Sequence, residues 1–292
     1  MVNIVTHNAR FHSDEIFGCA VLLLVFPDVK IARTRDRMVI AKADIVLDVG
    51  DEYNPAKNRF DHHQEGGAGC RGNGVPYASF GLIWKHFGDR LVSSRKVFEH
   101  IDEKLVQPID AMDNGVDLYK AYSDNLEPYL IQSIVSSFHP TWREDDSELD
   151  QNFRTVLDFV KKVLQREIKQ AEDFEEGKKY IEETYKNAVD KRLLVLDRNY
   201  SWGELVANIP EVLYVVRPNP QDGTWKLQAT RDDVHSYKLR KPMPESWAGK
   251  RGEELAAVSG VPDTIFCHNG RFVAGVGSKE GAIALANKAI SE

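Results

Sequence analysis

The spacing of hydrophobic and polar positions predicts alternating strands and helices in the first half of the chain. Residues 2–6, 30–34 and 43–49 are short apolar runs of the kind that form buried strands. Residues 13–26, between the first two runs, begin with three polar residues and are then apolar except for Gly18, and Pro27 ends that segment. Strand, helix and strand at this spacing are typical of a parallel sheet with crossover helices. The first half is therefore predicted to be an α/β domain.

The segment at 13–26 starts with residues that suit a helix N-terminus. Ser13 can cap free backbone amides, and the carboxylates of Asp14 and Glu15 favour the positive end of the helix dipole. We therefore predict that the first helix begins at Ser13.

The middle of the chain is predicted to be helical. Residues 77–87, 97–112 and 126–138 follow helical spacing, and Pro108 is expected to break or kink the second segment. From 150 to 188 apolar residues recur at three- and four-residue intervals with charged residues opposite, which predicts one long helix. Such a helix is roughly 50 Å long, enough to bridge two domains.

The last third of the chain has a different pattern. A final helix is predicted at 280–290, and Asn269-Gly270 predicts a two-residue hairpin turn. Five short segments have the pattern of strands: 192–196, 212–216, 225–230, 264–267 and 272–276. The predicted fold is α/β, with a parallel-sheet metal-binding domain at 1–146, a connecting helix at 147–188 and a smaller α+β substrate-binding domain at 189–292.

Composition restricts the kind of partner that the protein can have. The chain has 292 residues, of which 42% are hydrophobic and 28% charged, as in soluble globular proteins. Its formal net charge is -7 and its sequence pI about 5.8. Proteins that coat long duplex nucleic acid are usually basic. Any nucleic-acid partner should therefore be short or held by a local basic patch.

Cysteine usage and hydropathy bear on the location of the protein. The three cysteines, Cys19, Cys70 and Cys267, form no CxxC pair, and their odd number favours a reducing compartment. The longest apolar run, at 16–26, is shorter than the roughly 20 residues needed to span a bilayer. We predict a cytoplasmic protein with no membrane partner, and we leave homodimerisation open.

The triplet Asp61-His62-His63 is the most distinctive cluster of chemistry-bearing residues. In parallel sheets, ligands collect beyond the carboxyl ends of the strands. His7 and Asp48 fall at the ends of the first and third predicted strands, and the triplet follows another strand-like pair. A His-His pair alone could be an ordinary surface turn, but three candidate ligands at one sheet edge favour a metal site. Other histidines, such as His235, are interpreted as ordinary surface or core residues.

We interpret the triplet as part of a site for two divalent cations. Imidazole and carboxylate without thiolate favour manganese, magnesium or zinc. Two such ions about 3.5–4 Å apart can clamp the attacking and leaving oxygens of a phosphoryl displacement. Asp48 and Asp113 are assigned as bridging carboxylates, although Asp113 alone could be a plain helix-end residue. His63 and Asp61 are assigned to catalysis, with His63 protonating the leaving oxygen or holding the scissile phosphate. The predicted metal ligands are His7, His12, Asp14, Asp48, His62 and Asp113.

The motifs of the chain resemble those of the DHH phosphoesterase superfamily, which includes RecJ-type nucleases, family II pyrophosphatases and small-oligonucleotide phosphodiesterases. The closer resemblance is to the melanocyte-proliferating-gene family of RNA exonucleases, and it covers nearly the whole chain. The segments that carry it occur in the family's order: Thr6-His7-Asn8-Ala9-Arg10-Phe11-His12-Ser13-Asp14-Glu15, Asp44-Ile45-Val46-Leu47-Asp48-Val49-Gly50, Arg59-Phe60-Asp61-His62-His63-Gln64, Asp110-Ala111-Met112-Asp113-Asn114-Gly115, Leu255-Ala256-Ala257-Val258-Ser259-Gly260-Val261 and Phe266-Cys267-His268-Asn269-Gly270.

The resemblance implies a manganese-dependent phosphodiesterase. The chain departs from the wider superfamily at His12, where the usual pattern has an aspartate, and this removes one negative charge. By position, one metal would be held by His7, His12, Asp48 and Asp113, and the other by Asp14, Asp48, His62 and Asp113.

In relatives, the smaller domain supplies basic and glycine-rich groups to the substrate. From the residues alone, Arg240 and Lys241 could instead belong to a solvated loop, and His268 to Gly270 to a bare hairpin turn. The substrate-binding candidates in this chain are Arg231, Arg240, Lys241, His268, Asn269, Gly270 and Arg271.

The leading functional hypothesis is a two-metal phosphodiesterase that trims short single-stranded RNA or DNA from an end. Manganese is the expected cation, with magnesium or zinc as alternatives. A second hypothesis is a nucleotide phosphatase or pyrophosphatase-like hydrolase. A third is a non-catalytic, metal-bearing nucleotide-binding protein, which the retention of His63 disfavours.

Overall fold

The computed structural model describes residues 1–123, 126–233 and 236–292, so that His235 lies outside the described residues. The chain divides into two compact units, Met1–Glu172 and Asp173–Glu292. The described strands form two five-stranded sheets. None of the helices in the described ranges is both long enough and apolar enough to cross a bilayer.

The sheet of the first unit is mostly parallel, as the spacing of its apolar runs predicts. Its spatial order is β2-β1-β3-β5-β4. The first four of these strands run parallel, and β4 pairs antiparallel with β5 at one edge. The carboxyl ends of β1, β3 and β5 therefore meet at the same edge of the sheet. The strands are β1 (Val2–Thr6), β2 (Val29–Arg33), β3 (Ile45–Leu47), β4 (Tyr53–Asn54) and β5 (Arg59–Phe60).

Helix α1 forms the centre of the core in the first unit and is buried nearly all round. Its Phe17 ring lies 5.2 Å from the Phe80 ring of α3. Gly18 lets α1 approach the sheet, because a Cβ atom at that position would lie 2.7 Å from Leu47 Cδ1. The helices up to the unit boundary are α1 (Ser13–Val25), α2 (Arg37–Lys42), α3 (Ser79–Phe87), α4 (Arg95–Ile101), α5 (Gln107–Asp113), α6 (Ile131–Ser136) and α7 (Leu149–Asn187).

Three helix predictions are wrong in detail. The segment predicted at 97–112 is split into α4 and α5 by a π-helical turn at Asp102–Val106. Pro108 lies in the first turn of α5, directly after this π-helical turn, so the irregularity falls next to the residue expected to break or kink the segment. Within the segment predicted at 126–138, helix α6 covers only Ile131–Ser136. Helix α1 begins at Ser13, as predicted, but its N-cap is His12 and not Ser13.

Helix α7 has 39 residues and contributes to the core of each unit. In the first unit, Phe153 and Val160 are buried, and the Arg33 guanidinium lies 4.7 Å from the Phe153 ring and 2.6 Å from the Asp150 carboxylate. In the second unit, Ile181 packs in a separate apolar cluster. The boundary between the compact units therefore falls within this helix, and the functional division at 146 and 188 stays a prediction.

The second unit is α+β, in agreement with the predicted fold class. Its spatial strand order is β6-β7-β8-β10-β9, with β6 and β7 parallel and the other neighbours antiparallel. The strands are β6 (Leu193–Val195), β7 (Tyr214–Pro218), β8 (Trp225–Ala229), β9 (Thr264–Cys267) and β10 (Val273–Val276), and the helices are α8 (Gly203–Ala207), α9 (Gly252–Ser259) and α10 (Lys279–Ser291).

The connection between β9 and β10 is not the predicted two-residue turn. The Arg271 N–H donates to the His268 carbonyl over 2.8 Å, so Asn269 and Gly270 are the central residues of a β-turn. The His268 N–H donates to the Val273 carbonyl over 2.9 Å, so four residues, and not two, lie between the paired ends of the hairpin. A type I′ hairpin turn would need positive φ at both. Arg271 has the positive φ instead, at 58°.

Gly81 offers a test of packing in the first unit. Its N–H donates to Asp110 Oδ1 over 2.9 Å, and a Cβ atom there would lie 1.8 Å from Asp110 Oδ2. That oxygen lies 2.8 Å from a nitrogen of the Arg71 guanidinium. Gly81→Ala should displace the carboxylate from this buried ion pair and lower the free energy of unfolding by roughly 3 kcal/mol or more, measured by urea denaturation.

Gly72→Ala is the matched control. Of the atoms that the structure describes, none lies within 4 Å of a Cβ placed at Gly72. Its free energy of unfolding should therefore stay within about 0.5 kcal/mol of the parent value. Equal stability of the two variants would contradict the packing assigned to Gly81.

Candidate metal centre

The carboxyl edge of the first sheet carries five of the predicted site residues. His7 directly follows β1, Asp48 directly follows β3, and Asp61, His62 and His63 directly follow β5. Asp48 has a left-handed backbone with a φ of 56°, which turns the chain at the end of its strand. The fold thus places three separate segments of the chain side by side at the position expected for a ligand site.

Two helix ends supply the remaining predicted ligands. His12 is the N-cap of α1, and Asp14 lies in its first turn and is fully buried. Asp113 is the last residue of α5. Both helices belong to the first unit, so the whole candidate centre is built from one compact unit.

Asp48 lies at the middle of the cluster and is 2% exposed. Its Oδ2 atom is 3.2 Å from His7 Nε2, and its Oδ1 atom is 3.4 Å from His62 Nε2. The same Oδ1 atom lies 3.5 Å from His63 Nδ1 and accepts a hydrogen bond from the Ser79 hydroxyl over 3.1 Å. One carboxylate therefore faces three histidines.

His62 lies between Asp48 and the two other predicted carboxylate ligands, Asp14 and Asp113. Its Nε2 atom lies 3.2 Å from Asp113 Oδ2 and 3.8 Å from Asp14 Oδ2. The structure thus brings together all six predicted ligands. Among the described residues, three overlapping groups have ligand atoms that all lie within 4.8 Å of one another: His7, His12, Glu15 and Asp48; Asp48, His62 and His63; and His12, Asp14 and Asp113.

Glu15 is a member of this cluster that the sequence interpretation missed. It is fully buried, and its Oε1 atom lies 2.9 Å from His7 Nε2. Its Oε2 atom accepts the backbone N–H of His12 over 2.6 Å. The sequence interpretation assigned this carboxylate to the positive end of the helix dipole, whereas in the structure it also forms a capping box with His12.

The electrostatics of the cluster are dominated by buried carboxylates. Burial, followed by the charge of Asp48, raises the pKa of Asp14 well above its usual value. Burial likewise raises the pKa of Glu15. Burial acts in the same direction on Asp48, but the facing imidazoles of His62 and His7 outweigh it and hold the pKa of Asp48 below its usual range. The negative charge is thus stable only where positive groups face it.

The carboxylates of the cluster also raise the pKa values of the two buried histidines, His7 and His62. Burial disfavours the charged form of His7, but the carboxylates of Asp48 and Glu15 outweigh burial and raise its pKa to about 10. Burial also opposes the charged form of His62, and Asp113 and Asp48 raise its pKa to about 10. The site therefore attracts positive charge, which a divalent cation would supply in place of protons.

Unsatisfied polar atoms show that the residues fit a bound cation. Within the part of the chain that the structure describes, Asp14 Oδ1, Glu15 Oε1, Asp48 Oδ2 and His62 Nε2 are buried and make no hydrogen bond. Such atoms are rare in proteins, and a group of them points to an ion. Imidazole nitrogens with carboxylate oxygens suit borderline and hard divalent metals.

Asp61 has a different environment from the predicted ligands. It is 1% exposed, and its Oδ1 atom accepts a hydrogen bond from His63 Nδ1 over 2.7 Å. Its Oδ2 atom accepts the Asp51 N–H over 2.7 Å. The hydrogen bond that His63 donates to Asp61 raises the pKa of His63, whose side chain is 53% exposed. Asp61 thus fixes the orientation of a half-exposed imidazole next to the cluster.

A cavity of about 880 Å³ opens over the centre, and its lining includes His7, His12, Asp48 and His63. This volume is typical of small-molecule sites. Four cations that the sequence interpretation missed line the same cavity: Arg35, Arg37, Lys57 and Arg59. The available signal was the alternation of arginines at 33, 35 and 37, which begins at the last residue of β2.

Two predicted substrate residues of the second unit are engaged in local structure. The Arg240 side chain is 5% exposed, and its guanidinium donates to three backbone carbonyls and to the Asp232 carboxylate. The Lys241 ammonium donates to the Ile290 carbonyl over 2.9 Å. These contacts stabilise the backbone around the two cations.

The remaining substrate candidates lie on the β9–β10 loop and at a separate cavity. His268 Nδ1 accepts the Gly270 N–H over 2.9 Å, Asn269 is exposed, and Arg271 donates to the Met243 carbonyl over 3.2 Å. Arg231 lines a cavity of about 410 Å³ within the second unit. Substrate binding by these residues stays a prediction.

The sequence matches a family model for MYG1 exonucleases, described as an uncharacterised protein family (UPF0160), over residues 3–290. The human protein named MYG1 exonuclease is 30% identical to this chain over 327 aligned residues, which cover 98% of this chain and 85% of the human protein. A Dictyostelium discoideum protein named MYG1 protein is 29% identical over 326 residues, which cover 100% of this chain and 97% of the Dictyostelium protein.

A solved structure, RecJ from Thermus thermophilus in complex with Mn2+, aligns over 99% of this chain and 52% of its own length. The sequence identity is 13% and the TM-score 0.26. These values are too low to support an inference from that structure.

Divalent cations should stabilise the folded protein, because they would bind where buried carboxylates otherwise repel one another. At 100 times its dissociation constant, Mn2+ would add about 2.7 kcal/mol to the free energy of unfolding. The measurement is the rise in Tm during a Mn2+ titration. Asp48→Asn should remove most of this rise while keeping the fold, because asparagine tolerates the left-handed φ of 56°.

Asp51→Asn is the matched control, since Asp51 is exposed and has a similar φ of 54°. The Tm of this variant should rise with Mn2+ as in the parent protein. An undiminished rise in Asp48→Asn would remove Asp48 from the metal centre.

Proposed function

The chain belongs to the MYG1 exonuclease family, and we propose that it is a metal-dependent phosphodiesterase that removes nucleotides from the end of a short RNA or DNA strand. The observation that carries this proposal is the convergence of histidines and carboxylates on Asp48, with buried ligand atoms that lack hydrogen bonds. The name of the human relative, MYG1 exonuclease, supports cleavage from an end.

We assign the six ligands to two cation positions that share two carboxylates, with manganese as the expected metal. Bound cations would polarise the scissile phosphate and offset the charge that develops on its oxygens. Glu15 would hold His7 in place through the contact of 2.9 Å. One position is assigned to His7, His12, Asp48 and Asp113, and the other to Asp14, Asp48, His62 and Asp113.

His63 is the proposed proton donor to the leaving oxygen. Its Nδ1 atom is engaged by Asp61, so its Nε2 atom is the nitrogen left for a substrate. The imidazole lines the cavity beside Asp48 and is about half exposed, so it can meet both substrate and solvent. A buried carboxylate that orients a histidine through one ring nitrogen is a recurrent arrangement in acid–base catalysis.

The proposal is tested by hydrolysis of a labelled pentanucleotide with Mn2+, resolved by product length over time. Products should shorten by one nucleotide at a time from one end. Pyrophosphate and 3′-phosphoadenosine 5′-phosphate, assayed in parallel, should turn over more slowly. If the folded protein takes up Mn2+ and leaves the oligonucleotide intact, the proposal is wrong; faster turnover of either small substrate would identify a phosphatase.

If His63 gives a proton to the leaving oxygen, replacing it should lower kcat by a factor that depends on the leaving group. His63→Gln should lower kcat on an oligonucleotide by roughly 10²- to 10⁴-fold, because an alkoxide leaving group needs a proton. On a p-nitrophenyl nucleotide ester the loss should be much smaller, because nitrophenolate leaves without one. Asp61→Asn should show the same selectivity. An equal loss on both substrates would instead place His63 among the metal-binding or structural residues.

A further inference from the structure

We propose that the basic side of the cavity is a subsite for backbone phosphates of the strand, next to the phosphate that is hydrolysed. The subsite is formed by Arg35, Arg37, Lys57 and Arg59, and it rests on the function proposed above. With this subsite, the preferred substrate is an oligonucleotide with two or more phosphates. All four residues of the subsite lie in the first unit.

The topology explains why these cations stand beside the metal centre. Strand β2 is the parallel neighbour of β1, and Arg33 pairs with Thr6 in register. Arg35 and Arg37 follow just beyond β2, as His7 follows β1, so both segments emerge at the same sheet edge. Arg59 begins β5, two residues before Asp61. The basic groups and the predicted ligands therefore line one continuous cavity.

Arg35 and Arg37 are the cations available to a ligand. Across the described ranges, neither side chain has a hydrogen bond or an ion pair, and both residues are exposed. Arg59 differs, because its guanidinium donates to the carbonyls of Lys57, Asn58 and Ile40. The two free guanidiniums would make charge-assisted hydrogen bonds to phosphate oxygens, for which their planar geometry is suited.

The charge on the side of the cavity away from the candidate metal site favours an anion. Apart from the candidate metal-site residues, the charged side chains of the lining are the four cations and the carboxylates of Asp51 and Glu52. Glu52 is already paired with Lys57 over 3.3 Å and accepts from the Asn54 amide over 3.1 Å. The basic side is therefore a local excess of positive charge on a chain whose formal net charge is -7. Such a patch attracts a short polyanion to one place on an acidic protein.

The experiment compares a double variant with a charge-matched control on substrates of increasing length. Arg35→Gln with Arg37→Gln should raise the KM for a pentanucleotide at least about tenfold, because each charged hydrogen bond to phosphate is worth roughly that factor. Turnover of bis(p-nitrophenyl) phosphate, which has a single phosphate, should be unchanged. The parent KM should fall with substrate length, and the variant should lose most of this dependence.

The control removes the same charge elsewhere. Lys42→Gln with Lys96→Gln changes two exposed lysines outside the cavity lining and should leave the KM near the parent value. Arg35→Lys with Arg37→Lys should restore part of the affinity, since the charge returns without the planar donors. Equal losses on the single-phosphate ester and the pentanucleotide, or no loss on either, would overturn the subsite.

A binding measurement separates this proposal from the proposed function. Fluorescence anisotropy of a labelled pentanucleotide without divalent cations reports affinity in the absence of turnover. The double variant should bind more weakly, and its dependence of log Kd on log salt concentration should be shallower by about 0.7 for each phosphate that the variant no longer binds. A protein that binds in this way but never hydrolyses the strand would retain the subsite and lose the proposed function. If the protein hydrolyses the strand but parent and variant bind it equally, the proposed function would stand and the subsite would be wrong.

Discussion

The repulsion among buried carboxylates around Asp48 is the constraint on which the candidate centre depends. Asp14, Glu15 and Asp48 are almost completely buried within a few ångströms of His7 and His62. Burial of unpaired charge is costly, and the histidines alone leave several oxygen atoms without a hydrogen bond among the described residues. The arrangement is stable only when positive charge enters it. The repulsion among the buried carboxylates, which costs folding free energy without a cation, is therefore what favours cation binding at this place.

The parallel sheet explains how residues so far apart in the chain reach one place. The carboxyl ends of β1, β3 and β5 deliver His7, Asp48 and the triplet at Asp61 to one edge, and helices α1 and α5 close the site from their ends. The same edge carries Arg35 and Arg37 past β2. A single topological feature thus accounts for both the candidate metal centre and the basic side of its cavity.

The sequence predicts the position of the strand-end candidates well, because strand position alone places His7, Asp48 and Asp61 at one edge of the sheet. It predicts Asp113 only through family resemblance, since a helix end so far along the chain carries no local signal. Glu15 was missed because the helix dipole already explains a carboxylate in the first turn of a helix. Arg35 was missed because the cavity depends on how β2 and α2 are arranged. The prediction for the β9–β10 loop was wrong because Arg271, and not Asn269-Gly270, takes the left-handed conformation.

The account is tested most directly by anomalous diffraction at the manganese edge from crystals of the protein grown with Mn2+. It predicts two peaks about 3.5–4 Å apart, on either side of the Asp48 carboxylate and within bonding distance of His7 and His62. A single peak there would reduce the centre to one metal. No peak near Asp48, at Mn2+ concentrations that raise the Tm, would contradict the account.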